Sequence, residues 1–138
     1  MEDSKTHERW LVLLLRCGGL LLLSAFVAVF LPTTWMERIH RLLGLGAFPS
    51  SPLVDYLTRS ISALYGIHGG VLLVVSSDVR RHAPIVRYLG GINIVLGLLM
   101  LGIDVHADMP AWWIWSEGPP VVVIGIALLY LIGKVEPA

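Results

Sequence analysis

Residues 10–31 read WLVLLLRCGGLLLLSAFVAVFL, an apolar stretch that is interrupted by a single charged side chain, Arg16. A helix needs roughly 20 mostly apolar residues to cross the hydrocarbon core of a bilayer, and this stretch is long enough. Lys5 and Arg9 precede it, as in a signal peptide, but the apolar run is too long and ends at Pro32 without an A-x-A cleavage site. The stretch therefore predicts a retained membrane-spanning helix.

Three further stretches have the same length and apolar character: 53–77, 85–103 and 111–133. Of the 138 residues, 56% are hydrophobic and 14% are charged, whereas about 25% of the residues in a soluble domain are charged. A chain of this length forms one domain. We therefore predict an all-α integral membrane protein, a single transmembrane domain over residues 1–138, whose four spans form an up-and-down bundle.

The basic residues predict the orientation of these spans, because cytoplasmic loops carry an excess of Lys and Arg. One side of the predicted bundle collects Lys5, Arg9, Arg16, Arg80, Arg81, Arg87 and Lys134, and the other collects Arg38, Arg41 and Arg59. The side with more basic residues is the cytoplasmic one and holds both termini. Four tryptophans fall on the opposite side, where an aromatic belt is expected: Trp35, Trp112, Trp113 and Trp115. We expect the protein in a bacterial cytoplasmic (inner) membrane.

The segment between the first two spans predicts a short amphipathic helix over about residues 34–43. Its apolar residues recur at helical spacing before two glycines stop the pattern: Trp35, Met36, Ile39, Leu42 and Leu43, then Gly44 and Gly46. Thr34 and Glu37 have the spacing of a capping box. A helix with one apolar and one charged face lies in the membrane interface, so we expect this one on the outer surface, as a cap on the bundle or a lid over a site.

Asp55, Arg59 and His68 are polar residues within the second span. Charges in a span cost roughly 2.5 to 3.5 kcal/mol each on insertion scales and usually face a protein interior, a partner or water. Asp55 and Arg59 are one turn apart, so they either neutralise each other or bind an anionic headgroup, a carboxylate substrate or a partner. His68 lies deeper. It either hydrogen-bonds inside the bundle or acts as a proton relay or a contact to a quinone-like or lipid ligand.

The last two spans add Asn93, Asp104 and Glu117 to the polar candidates. Asn93 and Asp104 share one face of the third span. Glu117 precedes Pro119 and Pro120, which predict that the fourth helix kinks or restarts there, as a broken helix. Because such breaks line protein or water in a membrane, Glu117 is expected either to bridge to an arginine of the outer side, Arg59 or Arg41, or to handle a ligand or a proton.

Other features limit the chemistry. His106 and Asp108 alternate with Asp104 in a predicted outer loop and form a weak metal-site pattern, for which a solvated polar turn is the better interpretation. A net charge of zero argues against nucleic-acid binding, which needs a concentrated basic face. Catalytic motifs such as a nucleophile–base pair, a phosphate loop or a dinucleotide fingerprint are absent from the sequence, so we predict no catalytic residue and no cofactor, although a bound quinone or lipid fits the polar span residues.

Several spans carry small residues that permit close helix contact: Gly66 and Gly70 in the second, and Gly90, Gly91 and Gly97 in the third. Such glycines drive helix association in lipid. They either pack within the bundle or form a surface for a membrane protein partner or a second copy of the chain.

The chain resembles the DoxX-like superfamily of small bacterial membrane proteins in the layout of a few groups of residues. These are Arg59 with Tyr65 and Gly66, the basic turn at Arg80 and Arg81, the glycine-rich start of the third span from Tyr88 to Gly91, and Glu117 ahead of Pro119 and Pro120. The resemblance implies an up-and-down four-helix membrane bundle, and it implies an association with quinone-linked redox or oxidative-stress complexes that some members show.

Two functional hypotheses follow from the sequence. The first is a non-catalytic subunit or scaffold of a membrane complex, in which the charge pairs fix the helices and the glycine faces and the surface helix bind a partner. The second is the binding or transport of a lipophilic or proton-linked small molecule in an outer-side pocket lined by Arg59, Asn93, Asp104 and Glu117.

Overall fold

The computed structural model describes residues 2–49 and 51–135, and within them the chain is helical, without a β-strand. Six helices follow one another: α1 (Glu2–Ser24), α2 (Val27–Phe30), α3 (Thr33–Leu42), α4 (Pro52–Val75), α5 (Ala83–His106) and α6 (Ala111–Val135). Four segments are long and apolar enough to cross a membrane: Asp3–Phe30, Pro52–Val75, Ala83–His106 and Ala111–Val135. The predicted all-helical class and the four candidate spans are confirmed. Residues 1 and 136–138, which belong to the predicted cytoplasmic ends, lie outside the described residues.

The helix bounds differ from the predicted ones mainly at polar ends. The first span was predicted to begin at residue 10, but α1 begins at Glu2, because a helix continues through charged residues that hydropathy does not detect. In the same way, α5 continues to His106, so the first three residues of the predicted outer loop, 104–110, belong to the last turn of a helix.

The first span contains a break that the sequence did not predict. The Ser24 hydroxyl donates a hydrogen bond to the carbonyl of Leu21 at 2.6 Å, and the N–H groups of Ala25 and Phe26 bond three residues back instead of four. A serine that bonds its own helix backbone competes with the regular ladder. The chain therefore turns at Ala25 and Phe26 before the short α2 resumes.

The predicted restart of the fourth helix is wrong, because α6 is continuous through Pro119 and Pro120, whereas the alternative of a kink there stays a prediction. Two prolines remove two backbone donors, so the carbonyls one turn earlier lose their helical partners. The residue before them is Gly118, which is buried in close contact with the backbone of α5. We attribute the continuity to this packing, which holds the segment in helical register despite the missing bonds.

The capping box predicted for α3 is also absent, although the helix itself forms over nearly the predicted residues. Its N-cap position is Pro32, without a side-chain cap, and Glu37 pairs with Arg41 instead. The C-terminus follows the prediction: Gly44 adopts φ 75°, its N–H bonds to Arg41, and the N–H of Leu45 bonds to His40. This pattern is a Schellman motif, for which glycine is the preferred residue.

The chain divides into two compact units, Leu15–Val74 and Met1–Leu14 with Val75–Ala138. Within Leu15–Val74, α1 and α4 approach most closely at two glycines. A Cβ on Gly69 would lie 2.5 Å from both the carbonyl oxygen of Gly19 and the backbone nitrogen of Leu23. Nearby, Phe26 covers Gly66. Glycine at these positions lets the two backbones touch. The expectation of one domain for residues 1–138 stays a prediction.

Within the other unit, α5 and α6 form an antiparallel pair that is closed by four glycines. A Cβ on Gly97 would lie 2.6 Å from the Gly118 carbonyl oxygen, and a Cβ on Gly125 would lie 2.7 Å from that of Gly90. The two glycines of each helix are seven residues apart, so they return to the same face after two turns. Helix–helix contact in this unit therefore rests on the backbone itself.

Arg80, in the turn between α4 and α5, forms hydrogen bonds to α1 and to the C-terminal end of α6 within the same unit. Its guanidinium donates two hydrogen bonds to Glu8 of α1, at 2.7 and 3.0 Å, and one to the carbonyl of Val135 in the last turn of α6, at 3.2 Å. It also reaches the Ser4 hydroxyl at 3.4 Å. A cation is favourable at a helix C-terminus, where carbonyls lack partners. Arg80 therefore has a structural role that its position in a basic turn did not reveal.

We expect Arg80→Ala to lower the stability of the purified protein by about 1 kcal/mol, because exposed ion pairs contribute little individually and this one adds a carbonyl contact. Arg81→Ala is the matched control, since it removes the same charge from the neighbouring residue. Arg81 is exposed, and its hydrogen bond to Asp78 is made by its backbone N–H and not by its side chain. Thermal unfolding in detergent measures both. An equal loss in the two variants would show that net charge, and not the contacts of Arg80, is responsible.

Candidate functional site

Asp55 and Arg59 form the ion pair that their spacing predicts, on the first two turns of α4. The Arg59 Nε–H donates to Asp55 Oδ2 at 3.0 Å, and the opposite side of the guanidinium donates to the Val29 carbonyl at 2.6 Å. Asp55 also accepts a hydrogen bond of 3.5 Å from the Thr33 hydroxyl, at the start of α3. The pair is half-buried, with Arg59 28% exposed and Asp55 38% exposed. It therefore ties α4 to α2 and to the start of α3.

Arg59→Leu is expected to lower the stability by about 2 kcal/mol, because it leaves Asp55 without its cation and the Val29 carbonyl without its donor. Arg81→Leu removes an equal charge from an exposed turn and is expected to change the stability by less than about 0.5 kcal/mol. Thermal unfolding of the two variants in the same detergent makes the comparison. If Arg59→Leu unfolds at the wild-type temperature, the pair contributes nothing to the fold.

His68 lies half-buried on α4, one residue before the contact glycine Gly69. The structure gives its ring no hydrogen bond to another described residue, so the expected internal partner is not found. His40 differs: its Nδ1 lies 3.2 Å from the Gly46 carbonyl, and its ring meets Phe48 edge to face. His40 therefore shapes the turn after α3.

Glu117 bonds within its own helix. The Trp113 Nε1–H donates to Glu117 Oε2 one turn along α6. The arginines proposed as its partners are both engaged elsewhere, since Arg59 bonds to Asp55 and Arg41 bonds to Glu37 at 2.6 Å. The carboxylate is half-buried, and it accepts this bond from a neutral donor without a cation beside it among the described residues. It remains available as a hydrogen-bond acceptor.

Asp104 is the most buried acid among the described residues, with only 6% of its surface exposed. Its Oδ2 is fully buried and has no hydrogen-bond partner there. Its backbone carbonyl accepts the N–H of Met109 at 3.0 Å, in the turn that closes α5. Asn93 lies half-buried three turns earlier on the same helix face. A buried carboxylate oxygen without a donor is uncommon, which makes Asp104 a candidate for contact with a ligand, a proton or water.

His106 and Asp108 are exposed around the end of α5. Asp108 adopts φ 51° and takes the place of the glycine that usually ends a Schellman motif, with its N–H bonded to the Val105 carbonyl. Within residues 2–49 and 51–135, no three His, Cys, Asp or Glu side chains are grouped to hold a metal ion. Asp108 therefore has a conformational role in this turn.

The glycines proposed as a partner surface are divided between two environments. Gly66, Gly90 and Gly97 are covered from within their own units, by Phe26, by Leu129 and by Gly118 with Val122. Gly70 and Gly91 face open space. A partner surface formed by Gly66 and Gly70 together is therefore reduced to Gly70, and the binding of a partner by these faces stays a prediction.

Comparison of the chain with protein-family models, with curated proteins and with solved structures finds no match. The resemblance to the DoxX-like superfamily therefore depends on the layout of the residues quoted from the sequence.

Proposed function

We propose that the chain is a multi-pass membrane protein of a bacterial cytoplasmic membrane that acts as a non-catalytic subunit or scaffold of a membrane complex. Its four long helices are the spans of an up-and-down bundle, with both ends in the cytoplasm and α3 on the outer surface. The length and apolar character of the helices support the spans, and the distribution of Lys and Arg supports the orientation.

The observation that carries the proposal is the position of Arg16 on α1. Leu11, Leu15 and Gly19 form the buried stripe of this helix, and Arg16 lies on an exposed face beside it. Leu20, one turn further, is 59% exposed on the same face. This face therefore presents a charge beside an apolar side chain, and none of the residues that the structure describes covers it.

Arg16 differs in its surroundings from Arg59, the other arginine well inside a span. Arg59 has an acid one turn away, whereas the structure pairs Arg16 with no acid among the residues it describes. A charge within a span usually pairs with another group or faces water. An acidic group on a membrane protein partner would supply that pairing and would place the partner against the exposed face of α1.

In-membrane crosslinking tests this proposal. A photoreactive amino acid at Leu20 is expected to give a discrete protein adduct in native membranes. The adduct is expected to be lost in Arg16→Gln and retained in Arg16→Lys, which keeps the charge. The same probe at Leu64, an exposed residue of α4, serves as the control position. If the probe at Leu20 gives only lipid adducts, the Arg16 side chain extends to the lipid headgroups instead of facing a partner. That result would overturn the assignment of a docking face.

A second candidate function is the binding of a lipophilic or proton-linked small molecule, and the unpartnered Oδ2 of Asp104 favours it. In that case the gently purified protein retains a quinone or another small molecule and has no stoichiometric protein partner. Asp104→Asn is then expected to lose that molecule, while Asp108→Asn, an exposed acid of the same turn, keeps it. A stoichiometric protein partner without a small molecule favours the subunit.

A further inference from the structure

The helix α3 has three sides with different surroundings. Met36 is buried and attaches the helix to its own unit, and the Thr33 hydroxyl contacts Asp55 from the same side. The next side is apolar and open, with Trp35 60% exposed and Leu42 79% exposed. Ile39 and Leu43 extend this open surface. Four large apolar side chains therefore form a continuous patch that no described residue covers.

The third side of α3 is polar and contains an open depression of about 320 Å³ lined by Thr34, Glu37, Arg38 and Arg41. Glu37 and Arg41 pair with each other at 2.6 Å, so their charges largely cancel. The structure gives Arg38 no acid partner among the described residues. The depression therefore has a net positive charge, located on Arg38.

The apolar and the basic sides meet along one line of the helix. Thr34, Arg38 and Leu42 follow one another at intervals of four residues and lie one above the other on the surface. A guanidinium and a hydroxyl thus adjoin the apolar patch directly. A guanidinium binds a phosphate through two parallel hydrogen bonds, which suits a group carrying both a phosphate and an apolar tail.

We propose that α3 binds an anionic phospholipid, with the apolar patch among the acyl chains and Arg38 and Thr34 on the headgroup phosphate. The position of the helix supports this occupant. It lies between the candidate spans that end at Phe30 and begin at Pro52, and only Leu31 and Pro32 separate its first residue from the first of these spans. Apolar area and attraction to anionic lipid together determine how strongly an interfacial helix binds. The inference rests on the membrane location proposed above and not on a protein partner.

Native mass spectrometry of the full-length protein in mild detergent tests the inference, with phosphatidylglycerol, phosphatidylcholine and inorganic phosphate as separate additions. We expect phosphatidylglycerol to be retained more strongly than phosphatidylcholine. Arg38→Gln is expected to weaken its retention about fivefold, the effect of one basic residue at a lipid surface. Arg81→Gln, which removes an exposed arginine from another turn, is the matched control and is expected to retain the lipid as the wild type does.

Each other outcome contradicts the proposal. Equal retention of both lipids would show that Arg38 does not recognise charge, and equal loss in the two variants would show that net charge alone binds the lipid. Competition by inorganic phosphate at the same concentration would identify a soluble anion as the ligand. A lipid-independent dimer that Trp35→Ser dissociates would identify a second copy of the chain on the patch. If the protein does not prefer phosphatidylglycerol but the photoreactive residue at Leu20 still gives its protein adduct, the lipid site on α3 is refuted and the proposed membrane subunit is not.

Discussion

Gly69→Ala is expected to destabilise the protein by about 3 kcal/mol and to lower its unfolding temperature in detergent by about 10 °C. The added Cβ would lie 2.5 Å from both the Gly19 carbonyl oxygen and the Leu23 backbone nitrogen. These are backbone atoms of α1, which cannot rotate away as the end of a side chain can. Either α1 and α4 separate locally or the helices shift, and both outcomes lose contact along the pair.

The matched control is Gly70→Ala, the next residue of the same helix, where a Cβ meets nothing within 4 Å. Alanine favours a helix over glycine by up to about 1 kcal/mol, so this variant is expected to be as stable as the wild type or slightly more stable. Both proteins are heated at one scan rate, because membrane proteins often unfold irreversibly. Equal unfolding temperatures for the two variants would refute the close contact of α1 with α4.

Gly97→Ala is expected to have an effect of similar size on the pair of α5 and α6. Its Cβ would lie 2.6 Å from the Gly118 carbonyl oxygen and 2.8 Å from the Val122 backbone nitrogen. A second close contact, between Gly90 and Gly125, lies two turns away. One substitution therefore disturbs one of the two places where the backbones of α5 and α6 meet. We expect a loss of about 3 kcal/mol, near the upper end for overpacking.

Gly102→Ala on the same helix is the control for this prediction, because a Cβ there has no atom within 4 Å. A crosslink between cysteines introduced at Ile94 and Val121 on a Cys17→Ala background adds a second readout. We expect its yield to fall in Gly97→Ala and to persist in Gly102→Ala. Unchanged unfolding and unchanged crosslinking in Gly97→Ala would show that the two backbones do not meet there.

The sequence was a good guide to individual helices, because each prediction needed only the pattern of one segment. Apolar stretches located four candidate spans, and the spacing of Trp35, Met36 and Ile39 located α3. The same reasoning misplaced the start of α1 and expected a break at Pro119. In both cases the outcome depended on something hydropathy does not report: the helical extension of a polar end, and the contact of Gly118 with another helix.

Most contacts between helices could not be predicted from the sequence. Gly69 and Gly70 are adjacent and chemically identical, yet one touches a backbone and the other is open, since only packing distinguishes them. The seven-residue spacing of Gly90 with Gly97 and of Gly118 with Gly125 was a usable signal.

Among the polar candidates, prediction succeeded for partners on the same helix and failed for partners further along the chain. The spacing of Asp55 and Arg59 was sufficient to predict their pair. The bond from Arg59 to Val29 and those from Arg80 to Glu8 and Val135 join distant parts of the sequence. Such bonds require the fold itself and cannot be inferred from the spacing of residues on one helix.

The central claim is that the four long helices cross a membrane and leave α3 outside. Cysteine labelling in intact cells tests it most directly, since Cys17 is the single native cysteine and Cys17→Ala gives a blank background. Ala47→Cys, after α3, and Arg81→Cys, between α4 and α5, introduce thiols at exposed positions. With a membrane-impermeant maleimide, we predict labelling of Ala47→Cys in intact cells and of Arg81→Cys only after the cells are opened. Labelling of both variants from the same side would contradict the claim.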